Sequence, residues 1–166
     1  MASSIFKSQA DKKDSAVNNV IYNYQAAYTS GNTAGSFSHD IIGNYFITGP
    51  STTSASDAYY QMDAKQSVYA TGNYRDSNND GTLNGGASNT VGSSTAVTSP
   101  WADTSIGLAS LTAAEAYAYV IANAGASPRD EVDALAVTQV ESLGTLGEIY
   151  SSQADTGLTN GGYGTL

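Results

Sequence analysis

Apolar and polar positions alternate in short bursts along the first half of the chain. The bursts cover residues 16–24 (AVNNVIYNY), 39–49 (HDIIGNYFITG, stopped by Pro50), 58–63 (AYYQMD) and 67–74 (SVYATGNY). Each is rich in β-branched or aromatic residues and bounded by Gly, Asn, Ser or Thr, which predicts a short strand between turns. After Leu111 the pattern takes on a helical period. Thr112 followed by Glu115 forms a capping box, in which each side chain bonds the other's backbone N–H. Residues 113–124 (AAEAYAYVIANA) are good helix formers, with Tyr117, Val120, Ile121 and Ala124 on one face. Gly125 supplies the stop. Ser127 and Pro128 then read as N-cap and first helical position of a second short helix. Asp130 and Glu131 fall in its first turn, and Val132, Leu135, Ala136 and Val140 form its apolar face. Residues 87–103 are polar and are expected to wrap the surface, with Trp101 as their one large anchor. Residues 151–166 are expected to lie extended over the body.

The strand segments resemble one another. Asn19, Asn44 and Asn73 stand beside aromatic or β-branched residues, 25 and then 29 positions apart. Two architectures accommodate this spacing. In a solenoid, each coil pairs in parallel with the next, and stacked Asn side chains hydrogen-bond along the stack. In an antiparallel sandwich, the same Asn residues sit in turns. The pattern alone does not separate them.

Composition narrows the function classes. The 166 residues carry 15 acids against 6 bases, a net charge of −9. A polyanion needs a basic footprint to release counterions, so nucleic acid is a poor partner, and an anionic membrane surface is disfavoured likewise. No apolar run is long enough for a membrane span or a signal-peptide core. With no cysteine, thiolate metal sites, disulfide staples and cysteine nucleophiles are excluded. Only residues 1–14 form a basic neighbourhood (Lys7, Lys12, Lys13). Residues 1–15 read as an irregular or capping segment, and residues 16–166 as strands followed by a helical and extended tail.

Candidate chemistry is sparse. Residues 76–84 (DSNNDGTLN) fit an oxygen-rich calcium loop, with Asp76, Asn78 and Asp80 as ligands and Gly81 at the tight turn. The twelfth position is Ala87, so the bidentate Glu is missing, and a solvated turn of Asx motifs fits the same residues. His39 is the sole histidine. Its neighbour Asp40 points to the opposite face of a strand, which makes a structural role the expected one. Tyr22, Tyr24, Tyr28, Tyr45, Tyr59, Tyr60, Tyr69 and Tyr74 suit either a sugar-stacking platform or the covering of sheet faces. Asp57, Asp63 and Lys65 are candidates to line a groove. Arg129 and Asp130 are expected to pair and pin the tail. No G-x-S-x-G elbow is present, which argues against a serine hydrolase.

Residues 111–137 (LTAAEAYAYVIANAGASPRDEVDALAV) resemble the C-terminal segment of pectate-lyase-like proteins, polysaccharide lyase family one. The residues that carry the resemblance are Ala124-Gly125-Ala126-Ser127, Arg129-Asp130 and Val132-Asp133. VNNVIYNY, NYFITGPST and VYATGNY look like that family's later coils, in the right order, so the likeness covers most of residues 16–140. It implies an all-β fold, a right-handed parallel β-helix of a few coils with one or two short C-terminal helices. Asn19, Asn44, Asn73, Gly125, Arg129 and Asp130 become structural residues. It also implies an extracellular enzyme that cleaves pectate by β-elimination, with calcium as cofactor and an arginine removing the proton at C5. The family's arginine slots fall near Ile5 and Ala10, neither of which is Arg, and its calcium carboxylates lie on coils upstream. The expectation is a C-terminal portion or a diverged relative of such a lyase that is not catalytically complete, or a non-catalytic structural or carbohydrate-binding β-helix that self-associates through its open end. Pectate or a related acidic polysaccharide is the implied partner, together with end-to-end stacking into homo-oligomers.

Overall fold

The computed structural model describes residues 13–30, 35–53, 58–102 and 111–165. Strands β1 (Lys13–Val17), β2 (Val20–Tyr22) and β3 (Tyr28–Thr29) form a first pass. A second pass repeats it with β4 (Phe37–Ile42), β5 (Tyr45–Ile47) and β6 (Tyr59–Tyr60). The third has β7 (Gln66–Thr71) and β8 (Tyr74–Asp76), followed by β9 (Gly86–Ala87) and β10 (Thr95–Ala96). Like strands of successive passes pair, giving sheets in the order β1-β4-β7-β10, β2-β5-β8-β9 and β3-β6.

Every pairing is parallel except that of β8 with β9. Lys13 lies opposite Ser38, Ser38 opposite Ser67, and Ser67 opposite Thr95. Of the two architectures open to the sequence, the antiparallel sandwich is therefore the one the register removes.

The same local device turns the chain in each pass. Asn18, Gly43 and Gly72 adopt φ values of 58°, 64° and 66°, between β1 and β2, β4 and β5, and β7 and β8. Glycine and asparagine enter this left-handed region at least cost. At Gly43 space is limiting too, since a Cβ would stand 2.5 Å from the Leu111 carbonyl oxygen. The following residue in each pass is the repeated asparagine. Asn44 and Asn73 are fully buried. The Asn19 backbone N–H and Nδ2 both donate to Asn44 Oδ1, at 2.9 and 3.0 Å. Asn44 donates in the same way to Asn73 Oδ1, at 3.0 and 2.9 Å. Asn73 then donates to Asn89 Oδ1, at 3.0 and 3.1 Å. Each rung satisfies a buried amide that would otherwise be costly.

Side chains from all three sheets converge in one core, with Ala16, Ile41 and Val68 from the first, Phe46 from the second, and Tyr28 and Tyr59 from the third. A second cluster lies outside the β2-β5-β8 sheet. There Tyr45 and Ile47 are covered by Ala113 and the half-buried Tyr117 and Leu143. That cover begins with helix α1 (Ala113–Asn123), whose capping box forms as expected from Thr112 and Glu115. Helix α2 (Glu131–Glu141) starts later than Ser127 suggests. Its N-cap is Asp130, whose carboxylate takes the Asp133 N–H at 2.8 Å. The terminal stretch, expected extended, coils through a 3-10 turn at Gln153–Thr156 and a helical turn at Thr159–Gly162. No helix among the described residues is long and apolar enough to cross a membrane.

Candidate functional site

The residues proposed for calcium sit at the end of β8. Asp76 is buried, and its Oδ2 accepts the Asn84 N–H at 3.0 Å. Asp80 Oδ1 accepts the Thr82 N–H at 2.8 Å. Its Oδ2 accepts the side-chain amides of Asn84 and Asn78, at 2.9 and 3.0 Å. These bonds, the Asn84 amide first, hold the Asp80 carboxyl below the usual carboxylate range. Calcium requires six to eight inward-facing oxygens. Here the carboxylates face N–H donors, and no cluster of three acid or imidazole groups exists among the described residues. The loop as arranged does not present the oxygens that the ion requires.

The two arginines lie apart, one on β8 and one beyond the end of α1. Arg75 is half-buried on β8, in register with the core residues Phe46 and Ile21. Its charge opposes, without overcoming, the burial that pushes the Tyr24 hydroxyl up to about 12. Arg129 does not pair with Asp130. Its Nε donates to the Ala124 carbonyl at 2.8 Å and its guanidinium also holds the Ile121 carbonyl, a cation on the C-terminal carbonyls of α1. Gly125 has φ 91°, and a Cβ there would stand 2.6 Å from Asp133 Cγ. The specific-looking AGAS…RD block is thus a helix-to-helix clamp.

The tyrosines mostly cover sheets. Tyr24, Tyr28, Tyr45 and Tyr59 are buried, while Tyr60 and Tyr74 are exposed on different sheets. Tyr45 and Tyr74 line an open pocket of about 420 Å³ with Leu83, Gly85, Thr112 and Ala113. The two rings lie 6.0 Å apart, and Tyr45 Oη accepts the Gly85 N–H at 2.9 Å. Among the described residues its lining is aromatic, aliphatic and glycine, with the Thr112 side chain beside them. Asp63 is taken up locally, accepting the Lys65 N–H at 2.9 Å. Asp57, Ile5 and Ala10 lie outside the described residues.

His39 is buried inside the stack. Nδ1 lies 2.8 Å from Tyr28 Oη and Nε2 lies 2.7 Å from Gln66 Oε1. Burial, reinforced by Asp14, raises the Tyr28 hydroxyl far above its ordinary value. Asp40 on the opposite face is buried too, accepting the backbone N–H groups of Trp101 and Ala102 at 3.1 and 3.0 Å. Trp101 anchors as expected, its Nε1 donating to the Asp14 carbonyl at 2.9 Å with Lys13 over its ring. The role of Asp40 as a clamp for this crossing was not legible, because its partners are backbone groups 61 and 62 positions away.

The described residues thus form stacked, mostly parallel sheets with a helical cover on one side, and the chain has fungal relatives. It is homologous to fungal proteins named probable pectate lyase C. Identity is 39% over 155 residues with that of Aspergillus fumigatus, covering 90% of this chain and 36% of the relative. It is 40% over 147 residues with that of Aspergillus flavus, covering 84% and 34%. The Emericella nidulans protein is 38% identical over 145 residues, covering 84% and 33%. The chain therefore spans about a third of the length of the curated relatives it matches. No protein-family model matches the chain. No solved structure matches it either.

Proposed function

We propose that this chain is a section of an extracellular polysaccharide lyase of the pectate-lyase kind, and that the section is a scaffold without a complete catalytic centre. The observation that carries this reading is the identity near 39% maintained across 90% of the chain, over only 36% of the relative. In this reading the passes are coils of a right-handed parallel β-helix, from the C-terminal part of such an enzyme. The whole enzyme acts on de-esterified homogalacturonan by β-elimination. The scaffold role is supported by the placement of both arginines, one half-buried on β8 in register with Phe46 and one on helix carbonyls, and by the hydrogen bonds that Asp76 and Asp80 accept within the loop.

The test is formation of unsaturated uronides from pectate, followed by ultraviolet absorbance. The chain alone is expected to give none at any calcium concentration, and joined to the remaining two-thirds of a relative it is expected to give turnover. Turnover by the chain alone overturns the scaffold reading, and a joined protein that folds without cleaving pectate overturns the lyase reading. The second reading, a non-catalytic carbohydrate-binding coil stack, is favoured by the exposed Tyr74 ring over the pocket near Thr112. It expects binding of pectate to the chain alone, lost in Tyr74→Ala.

A further inference from the structure

His39 is the sole histidine of the chain and lies buried on β4, between β1 and β7. Asp14 is its register partner on β1, and Gln66 stands two positions before its register partner Val68 on β7. Side chains along a strand alternate between faces, so Asp14, His39 and Gln66 point the same way as the core residues Ala16, Ile41 and Val68. Tyr28 reaches the same place from β3, its ring edge-on to the imidazole with centroids 5.8 Å apart. The bonds among these groups have a direction. Gln66 Oε1 accepts only, so the Nε2 that lies 2.7 Å from it carries the ring proton. In a neutral ring Nδ1 is then an acceptor, and the Tyr28 hydroxyl 2.8 Å away donates to it. That hydroxyl has one proton and a second acceptor within reach, Asp14 Oδ2 at 3.5 Å. The shorter contact holds the proton, and the longer one stands at the outer limit of a hydrogen bond.

We propose that Asp14, Tyr28, His39 and Gln66 form a proton-operated switch, in which the bonds from His39 through Tyr28 to Asp14 reverse when the imidazole takes a proton, while the stack stays folded. One proton comes from solvent and no electrons move. In the charged ring both nitrogens donate. Nε2 keeps its bond to Gln66 Oε1, and the new Nδ1–H donates to Tyr28 Oη. The Tyr28 proton, released from Nδ1, turns to Asp14 Oδ2, and the phenol and the carboxylate draw closer. A lone buried imidazolium is costly, whereas one linked through a phenol to a carboxylate is paired and fully bonded. The other titratable groups nearby, among the described residues, leave this line intact. Tyr59 pairs with Tyr28 from β6. Asp40 lies on the opposite face of β4, its carboxylate engaged by the Trp101 and Ala102 N–H groups. Lys13 lies over the Trp101 ring, and Lys65, beside Gln66, is exposed. The consequence is tolerance of mild acid. A buried histidine that must stay neutral weakens a fold as pH falls, because the unfolded chain then binds the extra proton. Here the folded chain binds it too.

A single histidine gives an unambiguous ring signal in nitrogen NMR of the full chain. At about pH 8 the Nε2–H tautomer is expected, and at about pH 5 both ring nitrogens protonated, this being the interval over which histidine charges. The amide signals of β1, β4 and β7 are expected to keep their folded positions throughout. An Nδ1–H tautomer at the higher pH overturns the bond direction, and a ring that takes its proton only as the chain unfolds overturns the switch. Asp14→Asn removes the charge and keeps the shape. Between the same two pH values its unfolding equilibrium constant in urea is expected to rise about tenfold more than that of the parent chain. The folded variant resists a proton that the unfolded one still takes. Tyr28→Phe, which cuts the link, is expected to behave alike. In a His39→Gln background neither substitution is expected to alter the pH response. An equal pH response of Asp14→Asn and the parent chain overturns the role of the carboxylate. An extra loss in acid that persists beside His39→Gln assigns the effect to Asp14 itself and overturns the relay.

Discussion

The stacked passes and the helical tail are held by different physics. In the stack, each residue has an equivalent one pass away, so one solution to a local problem is used repeatedly. A left-handed residue turns the corner at Asn18, Gly43 and Gly72, and the next asparagine bonds along the stack. In the tail nothing repeats. Helix α2 has no buried residue, and its position depends on single contacts: Asp130 at its start, Asp133 to the Ala126 N–H at 2.6 Å, and Tyr22 Oη accepting the Gly144 N–H at 3.1 Å. Damage to the stack should therefore spread through the whole molecule, and damage to the tail should stay where it is made.

Phe46→Ala is the strongest way to press this difference. Phe46 is buried at the centre of the core, edge-on to Tyr59. Its truncation is expected to cost about 4 kcal/mol, read as one cooperative shift in urea unfolding by both far- and near-ultraviolet circular dichroism. Asn44→Ala removes the side-chain donor to the Ala16 carbonyl and one of the two donors to Asn73 Oδ1, and takes from the Asn19 backbone N–H and Nδ2 their shared acceptor. A loss of about 3 kcal/mol is expected, again global. If the loss is confined to one pass in hydrogen exchange, the ladder is not a shared element.

In the tail, Gly125→Ala meets both a positive φ and a carboxylate 2.6 Å away. It is expected to cost about 1–2 kcal/mol, seen as faster exchange in α1 and α2 while β4 and β7 keep their protection. Equal loosening of β4 would break the contrast. Glu115 is a finer probe. The Thr112 backbone N–H and hydroxyl hold its carboxyl below the usual range. A lowered folded value means the contribution is present above the unfolded carboxylate pKa and lost as pH falls through the folded one. Glu115→Gln should flatten that acid slope in helical signal alone.

The smallest effect is expected from Tyr24→Phe. Its hydroxyl is buried with no hydrogen-bond partner among the described residues, so removing it should be neutral or stabilising by about 1 kcal/mol. The folded pKa, raised to about 12 from 10.0, means the stack's stability is intact below pH 10 and falls as pH climbs toward 12. The variant should retain more stability in that window than the parent chain.

The sequence foreshadowed much of the stack because its asparagines recur at nearly constant spacing, beside residues that favour strands. It foreshadowed α1 because a capping box is local. Asn89 was not visible as the fourth rung, since the return of β9 shortens the last interval to 16 residues. The start of α2 lies three residues beyond Ser127, because Asp130 caps it by a bond to the Asp133 N–H, and a serine or acid nearby carries the same signal in sequence. The calcium pattern at residues 76–84 fits an ion loop and an Asx turn equally well. The difference lies in which way the Asp80 oxygens face, and spacing does not encode that.

Cross-linking tests the parallel register most directly, in a chain that has no cysteine of its own. Ser38 faces Ser67 and Ile42 faces Thr71 on β4 and β7, at positions that are not buried. Cysteine pairs at 38 and 67, and at 42 and 71, are expected to oxidise readily to disulfides, since neighbouring strands bring such Cα atoms to about 5 Å, and the crossed pair at 38 and 71 is expected to stay reduced. Rapid closure of the crossed pair, with the other two open, would mean the strands run antiparallel and would contradict the stacked-coil account.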